Sequence, residues 1–111
     1  MIRIHYDYDR DSHHLHITGH AGYAPIGSDI VCAGVSAIAC ALTECLEALD
    51  VVDRLICRTG ELKILAQRCS ESDSAFVMAL AGWKAIQKKH SGYLEIKPTP
   101  ARKDEDKGEE R

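Results

Sequence analysis

The chain opens with apolar and polar residues in regular alternation. Four apolar side chains alternate with polar ones over the first eight residues: Ile2, Ile4, Tyr6 and Tyr8. A period of two predicts a β-strand with one buried face. Leu15 and Ile17 resume the alternation after the turn-forming residues 9–12, so the first two strands are expected to form a hairpin.

Between residues 30 and 49 the apolar period changes to three or four. The positions that follow this period are Val31, Val35, Ile38, Leu42, Cys45 and Leu49. Such spacing places the side chains on one face and predicts an amphipathic α-helix. Asp29, or Ser28 before it, is a suitable N-cap, because its side-chain oxygen can accept a hydrogen bond from the first turn.

The second half of the chain again contains two strands and a helix. Short strands are predicted at residues 55–57 and 62–66, on either side of a Thr-Gly turn. A second amphipathic helix follows from the polar residues 70–74 to a stop at Gly92. Residues 93–96 then form a last short strand.

The element order β-β-α-β-β-α-β predicts a single α+β domain over residues 1–98, with one mixed sheet and two helices. Residues 99–111 are predicted to be a disordered charged tail. Nine of the last ten residues are charged and none is apolar, and such a segment cannot offset its ordering entropy by burial.

Composition and charge then narrow the function classes. The 111 residues are 45% apolar and 28% charged, as expected for one soluble domain. A net charge of −3 argues against nucleic-acid binding, which needs a surplus of Lys and Arg. The apolar run at residues 30–43 is too short to cross a bilayer, and the first residues do not resemble a signal peptide. We therefore expect a cytoplasmic protein that binds neither nucleic acid nor membranes.

The five cysteines are an odd number and contain no Cys-x-x-Cys pair. This argues against a secreted disulfide framework and favours free thiols. Four of them are interpreted as small buried side chains of the core: Cys40, Cys45, Cys57 and Cys69.

Cys32 differs from these four because it falls in the first turn of the predicted helix. The unpaired N–H groups of a helix N-terminus favour a thiolate. His20, at the end of the second strand, could take the thiol proton across the glycine-rich loop 19–28. The backbone N–H groups of Cys32, Ala33 and Gly34 are candidates for stabilising an oxyanion. From spacing alone, a core cysteine remains the alternative interpretation.

Three features of this segment occur together: Gly19-His20-Ala21, then Pro25 and Gly27, then the run DIVCAGVSA at residues 29–37. With these motifs the chain resembles the ribosomal-processing cysteine protease family. The resemblance implies a cysteine endopeptidase that removes the N-terminal extension of a large-subunit ribosomal protein. It also implies cleavage after paired aromatic residues, hence an apolar groove, and a homodimer.

By this resemblance, Cys32 is the nucleophile and His20 the general base. Asp29 and Ser36 are supporting polar positions, although Asp29 could equally be the N-cap and nothing more. The resemblance assigns four residues to a substrate-binding loop: Gly19, Gly22, Pro25 and Gly27. No cofactor is implied.

Other interpretations remain open. A peptide-binding module without turnover, or a relative that processes phage capsid or scaffold proteins, could have the same pattern. A thiol redox sensor would need a resolving cysteine, and Cys40 lies two helical turns from Cys32, too far for a disulfide. Four histidines invite a metal site, but we interpret them as solvated and expect no metal: His13, His14, His16 and His20.

Overall fold

The first two strands form the predicted hairpin. The computed structural model describes residues 1–25 and 29–98, so Gly27 and the charged tail lie outside the described residues. Strand β1 (Ile2–Tyr8) pairs antiparallel with β2 (Ser12–Thr18), and Ile4 lies opposite Ile17. The alternating apolar residues of both strands therefore share one face.

The remaining elements complete one mixed sheet. They are α1 (Ile30–Ala48), β3 (Val52–Arg58), β4 (Glu61–Gln67), α2 (Ser70–Lys89) and β5 (Leu94–Pro98). The strand order is β3-β4-β2-β1-β5, with β1 and β5 parallel and the other neighbours antiparallel. The predicted α+β class, element order and mixed sheet are confirmed.

Both helices contribute to the core on the apolar face of the sheet. Helix α1 buries the stripe Val31, Val35, Ala39, Leu42 and Leu46. Trp83 of α2 is completely buried, and its indole N–H donates to the carbonyl oxygen of Val35 at 3.2 Å. The two helices are thereby joined beside the first turns of α1, where the candidate site begins.

By length and apolar composition alone, α1 is long enough to cross a membrane. The sequence-based estimate considered only residues 30–43, whereas the helix extends to Ala48. Core helices of globular domains have the same composition, and one face of α1 is buried against the domain.

The prediction that the four other cysteines lie in the core is wrong for three of them. Cys40, Cys45 and Cys57 are exposed, and Cys69 is half-buried. Cys40 and Cys45 fall outside the buried stripe of α1, and Cys57 lies on the edge strand β3. Apolar residue type alone does not show which side of an element meets the core.

The interpretation of His13 as a solvated histidine is also wrong. Its side chain is only 2% exposed and stacks on Phe76, with ring centroids 4.2 Å apart. The Tyr6 hydroxyl lies 2.8 Å from Nδ1, and an oxygen of Asp73 lies 2.9 Å from Nε2. In this arrangement Tyr6 donates to the ring and the ring donates to Asp73, so neutral His13 has both nitrogens satisfied.

His14 and His16 face away from the core and each lies beside a carboxylate. Nε2 of His14 is 3.2 Å from Asp9, and Nε2 of His16 is 2.8 Å from Glu61. Within residues 1–25 and 29–98, no three ligating side chains are grouped so that they could hold a metal ion.

Candidate active site

Asp29 is the N-cap of α1, and its carboxylate joins the helix to the preceding loop. Oδ1 accepts a hydrogen bond from the Cys32 N–H at 3.0 Å, while Oδ2 accepts from the N–H groups of Tyr23 (3.0 Å) and Ala24 (3.4 Å). These bonds, with that from Cys32 foremost, hold the pKa of the Asp29 carboxyl below its usual range. Among the described residues no hydrogen bond joins His20 to Asp29, so the Asp29 carboxylate is engaged by the first turn of α1 and by the loop backbone.

Cys32 is the third residue of α1, so it lies in the first turn as the sequence predicts. Its side chain is half-buried. Its sulfur accepts a hydrogen bond from the backbone N–H of Ala21 at 3.2 Å. This N–H points at the atom that carries charge in a thiolate, and Ala21 itself is buried. The hydrogen bond holds the sulfur between the start of α1 and the segment that follows β2.

The prediction of oxyanion donors at Cys32, Ala33 and Gly34 is wrong. The Ala33 N–H donates to the carbonyl oxygen of Asp29 at 3.0 Å, as the first intrahelical bond of α1. Gly34 is the fifth helical residue, where the N–H bonds to the carbonyl four residues earlier. The helix leaves only its earlier N–H groups, at Ile30 and Val31, without an intrahelical acceptor once Asp29 has capped Cys32.

His20 follows β2 and is exposed, and its imidazole lies against Gly60 in the β3–β4 turn. A β-carbon at Gly60 would stand only 3.2 Å from Nε2 of His20. The Gly19 N–H donates to the Gly60 carbonyl oxygen at 3.0 Å, which fixes the backbone just before the histidine. Gly60 has a positive φ of 77°, so a side chain would be strained there as well as crowded.

His20 and Cys32 line the same groove, which has a volume of about 420 Å³. One wall is a stripe of α1 that continues from Cys32 through Ser36 to Cys40, and the other is formed by β3 and β4. Within the described residues no hydrogen bond joins the histidine to the thiol. The groove thus brings the two predicted reactive groups together with Ser36, and catalytic hydrogen bonds often tighten only when substrate binds.

The predicted loop residues differ in their surroundings. Gly19 has φ of 92°, and a β-carbon there would collide with the backbone carbonyl of Met1, so only glycine fits. Gly22 has φ of 71° and open space around it, and Pro25 is exposed. Of these three residues, Gly19 lines the groove.

Three residues around the candidate site make contacts that reasoning from the sequence missed. They are Ala21, Gly60 and Tyr23, whose ring packs edge-on against His90 (5.4 Å) and Tyr93 (5.1 Å). The type of a residue does not show which acceptor its backbone N–H will bond to, and in the sequence Gly60 indicates only a turn. The aromatic contacts join distant segments, so no local pattern indicates them.

A capped helix N-terminus that presents a cysteine, with a histidine in the same groove, is the arrangement of a cysteine protease. The sequence model of the family described as cysteine protease Prp matches residues 1–95. The chain therefore belongs to this family of cysteine proteases. No curated protein matches the sequence.

Solved structures have the same fold. An essential ribosomal processing protease Prp from S. aureus, in complex with a covalently linked product peptide, superposes with a TM-score of 0.78 at 18% identity, covering 89% of this chain and 100% of that chain. The same protease with a substrate peptide gives a TM-score of 0.70, also at 18% identity and over the same shares. SMU.848 from Streptococcus mutans is 26% identical, with a TM-score of 0.66 over 89% of this chain and 94% of that one.

Proposed function

We propose that this protein is a cytoplasmic endopeptidase that removes the N-terminal extension of a large-subunit ribosomal protein, with Cys32 as nucleophile and His20 as general base. The observation that carries the proposal is the Cys32 sulfur, held at the start of α1 by the Ala21 N–H and open to a groove shared with His20. Membership of the protease family supports the chemistry. The S. aureus relative, named a ribosomal processing protease, supports the substrate class.

In the proposed mechanism, His20 takes the proton of the Cys32 thiol, and the sulfur attacks the carbonyl carbon of the scissile peptide bond. The N–H groups of Ile30 and Val31, which have no acceptor within α1, are candidates to stabilise the negative oxygen of the tetrahedral intermediate. As the C–N bond breaks, protonated His20 gives its proton to the leaving amine, which leaves a thioester on Cys32. Water then attacks this thioester, with His20 as base, and releases the acid and the free thiol.

The groove walls support an apolar peptide as substrate. Ile17, Val35, Leu55 and Leu62 line the groove near the two reactive residues. Such walls suit the large apolar side chains that the family resemblance implies at the cleavage site.

We also propose that the protein is a homodimer, as the family resemblance implies, and that its contact surface is the face between the two helices. A second groove of about 710 Å³ runs between α1 and α2 and is lined by Ile38, Ala41, Ala75 and Met78. Met78 is 75% exposed, which is high for so large an apolar side chain.

The test of the proposed function uses a synthetic peptide that spans the N-terminal extension of the organism's own ribosomal protein. We expect the wild-type protein to cleave it once, with products identified by mass spectrometry. Cys32→Ala and His20→Ala should each lower turnover by at least about 10²-fold, without loss of the folded CD spectrum, because His20 is exposed and the cysteine change is small.

Cys45→Ala is the matched control, since Cys45 is exposed on the same helix but does not line this groove. Cleavage by Cys32→Ala at the wild-type rate would overturn the nucleophile assignment. Peptide binding without products in the wild-type protein would favour the non-catalytic binding module. Cleavage of a capsid or scaffold peptide in place of the ribosomal one would favour the phage-type relative.

A further inference from the structure

Three of the five cysteines line one groove, the groove that contains the candidate nucleophile. Besides Cys32 these are Cys40, on the α1 wall, and Cys57, on the edge strand β3 of the opposite wall. Both of the additional thiols are exposed. Their position therefore gives the groove two accessible sulfur atoms that the proposed hydrolysis does not use.

The additional thiols differ from Cys69 in what surrounds them. The Cys69 sulfur is engaged at the N-cap of α2, where it accepts from the Ser72 N–H at 3.4 Å. Among the described residues, neither Cys40 nor Cys57 has a hydrogen bond to its sulfur. Because both thiols are exposed, a soluble reagent can reach their sulfur atoms.

We propose that Cys40 and Cys57 form a reversible modification site, and that a mixed disulfide at either thiol closes the groove to peptide. The co-reactant is a small disulfide of the glutathione class. The consequence for peptide binding rests on the proposed function, whereas the modification itself does not.

The exchange is balanced in atoms and electrons. The cysteine loses its proton to water, and its sulfur attacks one sulfur of the small disulfide. The disulfide bond breaks, one half stays bound to the protein sulfur, and the other half leaves as a thiolate that takes up a proton. The cysteine sulfur is oxidised, the departing half is reduced, and an excess of free thiol reverses the step.

Helix geometry places Cys40 where an adduct would meet the peptide. Eight residues separate it from Cys32, about 12 Å along α1 at 1.5 Å per residue. An extended peptide advances about 3.3 Å per residue, so one lying along this wall reaches Cys40 roughly three to four residues from the scissile bond. A tripeptide-sized adduct would fill much of a groove of about 420 Å³.

Cys45 provides an internal comparison. It is exposed on α1 like Cys40, but it lines the groove between the two helices and not the groove of Cys32. An adduct at Cys45 would fall on the proposed dimer contact and outside the peptide groove, so it should affect the oligomeric state and leave peptide affinity unchanged.

The experiment removes the nucleophile so that its own oxidation cannot contribute. Full-length Cys32→Ala protein is treated with glutathione disulfide, adducts are located by peptide mapping, and the affinity for the fluorescein-labelled ribosomal N-terminal peptide is measured by anisotropy. The same protocol is applied to Cys32→Ala/Cys40→Ser/Cys57→Ser and to the control Cys32→Ala/Cys45→Ser.

We expect adducts at Cys40 or Cys57, a loss of affinity of at least about tenfold, and full recovery with dithiothreitol. The triple variant should keep its affinity under oxidation, and the Cys45 control should lose affinity like Cys32→Ala itself. Adducts on the groove thiols with unchanged affinity would overturn the proposal, as would the absence of adducts there or an equal loss in the triple variant.

Disappearance of both thiols without added mass would mean an internal disulfide and would also overturn the mixed-disulfide site. A Cys32→Ala protein that binds no peptide before oxidation contradicts the proposed function. Mapping of the adducts still decides the modification site in that case.

Discussion

At the scale of single residues, one carboxylate determines how the candidate site is assembled. Asp29 accepts N–H groups from both the helix that carries Cys32 and the loop that follows His20. The three bonds converge on the two oxygens of a side chain that is only 9% exposed. The geometry of the loop and of the first turn of α1 therefore depends on the same ionised group.

We predict that Asp29→Ala lowers the Tm by several degrees and lowers peptide turnover by more than the loss of folded protein explains. Removal of the carboxylate leaves the Cys32 N–H and the loop N–H groups without their acceptor. Thermal denaturation and initial cleavage rates at a temperature well below the Tm are the two measurements.

Asp29→Asn is the matched variant, because it keeps one side-chain oxygen and is a good N-cap. It should recover most of the Tm but less of the turnover. Equal turnover in Asp29→Ala and the wild type would show that the loop does not need this anchor.

His13 makes folding stability depend on pH. Burial is the main cause that lowers the pKa of His13 in the folded state, Asp73 opposes this shift, and Arg68 adds to it. A buried neutral histidine takes up a proton less readily than the unfolded chain does, so protonation favours unfolding. The contribution of neutral His13 to the free energy of unfolding is fully present above about pH 6.5, the ordinary pKa of histidine. It is lost as the pH falls from there towards the lowered pKa of the folded state.

We predict that the free energy of unfolding of the wild-type protein decreases between pH 7.5 and pH 5, and that His13→Leu flattens this decrease. Urea denaturation at several pH values measures the slope. The variant should be less stable at neutral pH, because the Tyr6 hydroxyl loses its partner, so the slope and not the absolute value is the test. The same slope in both proteins would assign the pH dependence to other groups.

The sequence predicts the local structure around the candidate site where a local pattern and a local contact coincide. Asp29 caps the helix as its residue type indicates, and Cys32 falls in the first turn as the apolar period requires. The Ala33 N–H shows the limit of such reasoning, since it is used by the helix that the same pattern predicts. The prediction of oxyanion donors counted this N–H twice, once as part of the helix and once as a free donor.

At the scale of elements, the strands and helices could be predicted because their periods are regular. The helix entry at residues 70–74 is confirmed, and its cap is Cys69 with Ser72, a pairing that residue preferences do not favour. Strand β3 begins at Val52, three residues before the predicted 55. The parallel pairing of β1 with β5 carries no local signal, because it joins residues from opposite ends of the domain.

Just after α1, Asp50 has a backbone conformation that glycine adopts more easily than aspartate. Asp50 follows the helix with φ of 59°, the left-handed region, and its N–H donates to the carbonyl oxygen of Glu47 at 3.0 Å. We predict that Asp50→Gly raises the free energy of unfolding by up to about 1 kcal/mol, because glycine adopts this conformation without a Cβ clash.

Asp50→Ala is the comparison for this prediction. It keeps the Cβ but removes the carboxylate, so it should be no more stable than the wild type. Chemical denaturation of the three proteins measures the difference, and a destabilised Asp50→Gly would show that the carboxylate itself matters at this helix end.

At the scale of the whole molecule, the two faces of the domain differ in character. Ion pairs cover part of the open sheet face, including Arg58 with Glu61 (3.0 Å) and Arg3 with Glu95 (3.4 Å). The helix face instead exposes Met78, an apolar side chain that lines the groove between the two helices. A second copy would therefore bury more apolar surface on the helix face than on the sheet face.

We predict that light scattering coupled to size-exclusion chromatography gives the mass of a dimer, and that Met78→Glu converts it to a monomer. Met78 lines the groove between the helices, and a charge there would have to be desolvated in the contact. Val77→Glu is the control: Val77 is 69% exposed on the same helix but does not line this groove. A monomeric wild-type protein, or a dimer unaffected by Met78→Glu, would contradict this surface.

The parallel pairing of β1 with β5 also has a consequence for the order in which the protein is made. Synthesis proceeds from the N-terminus, so β1 emerges first while the strand that covers one of its edges emerges last. During this interval the nascent chain presents an unpaired strand edge, the feature through which chains aggregate. In the proposed protease, one edge of β1 would therefore stay unpaired until β5 has been synthesised.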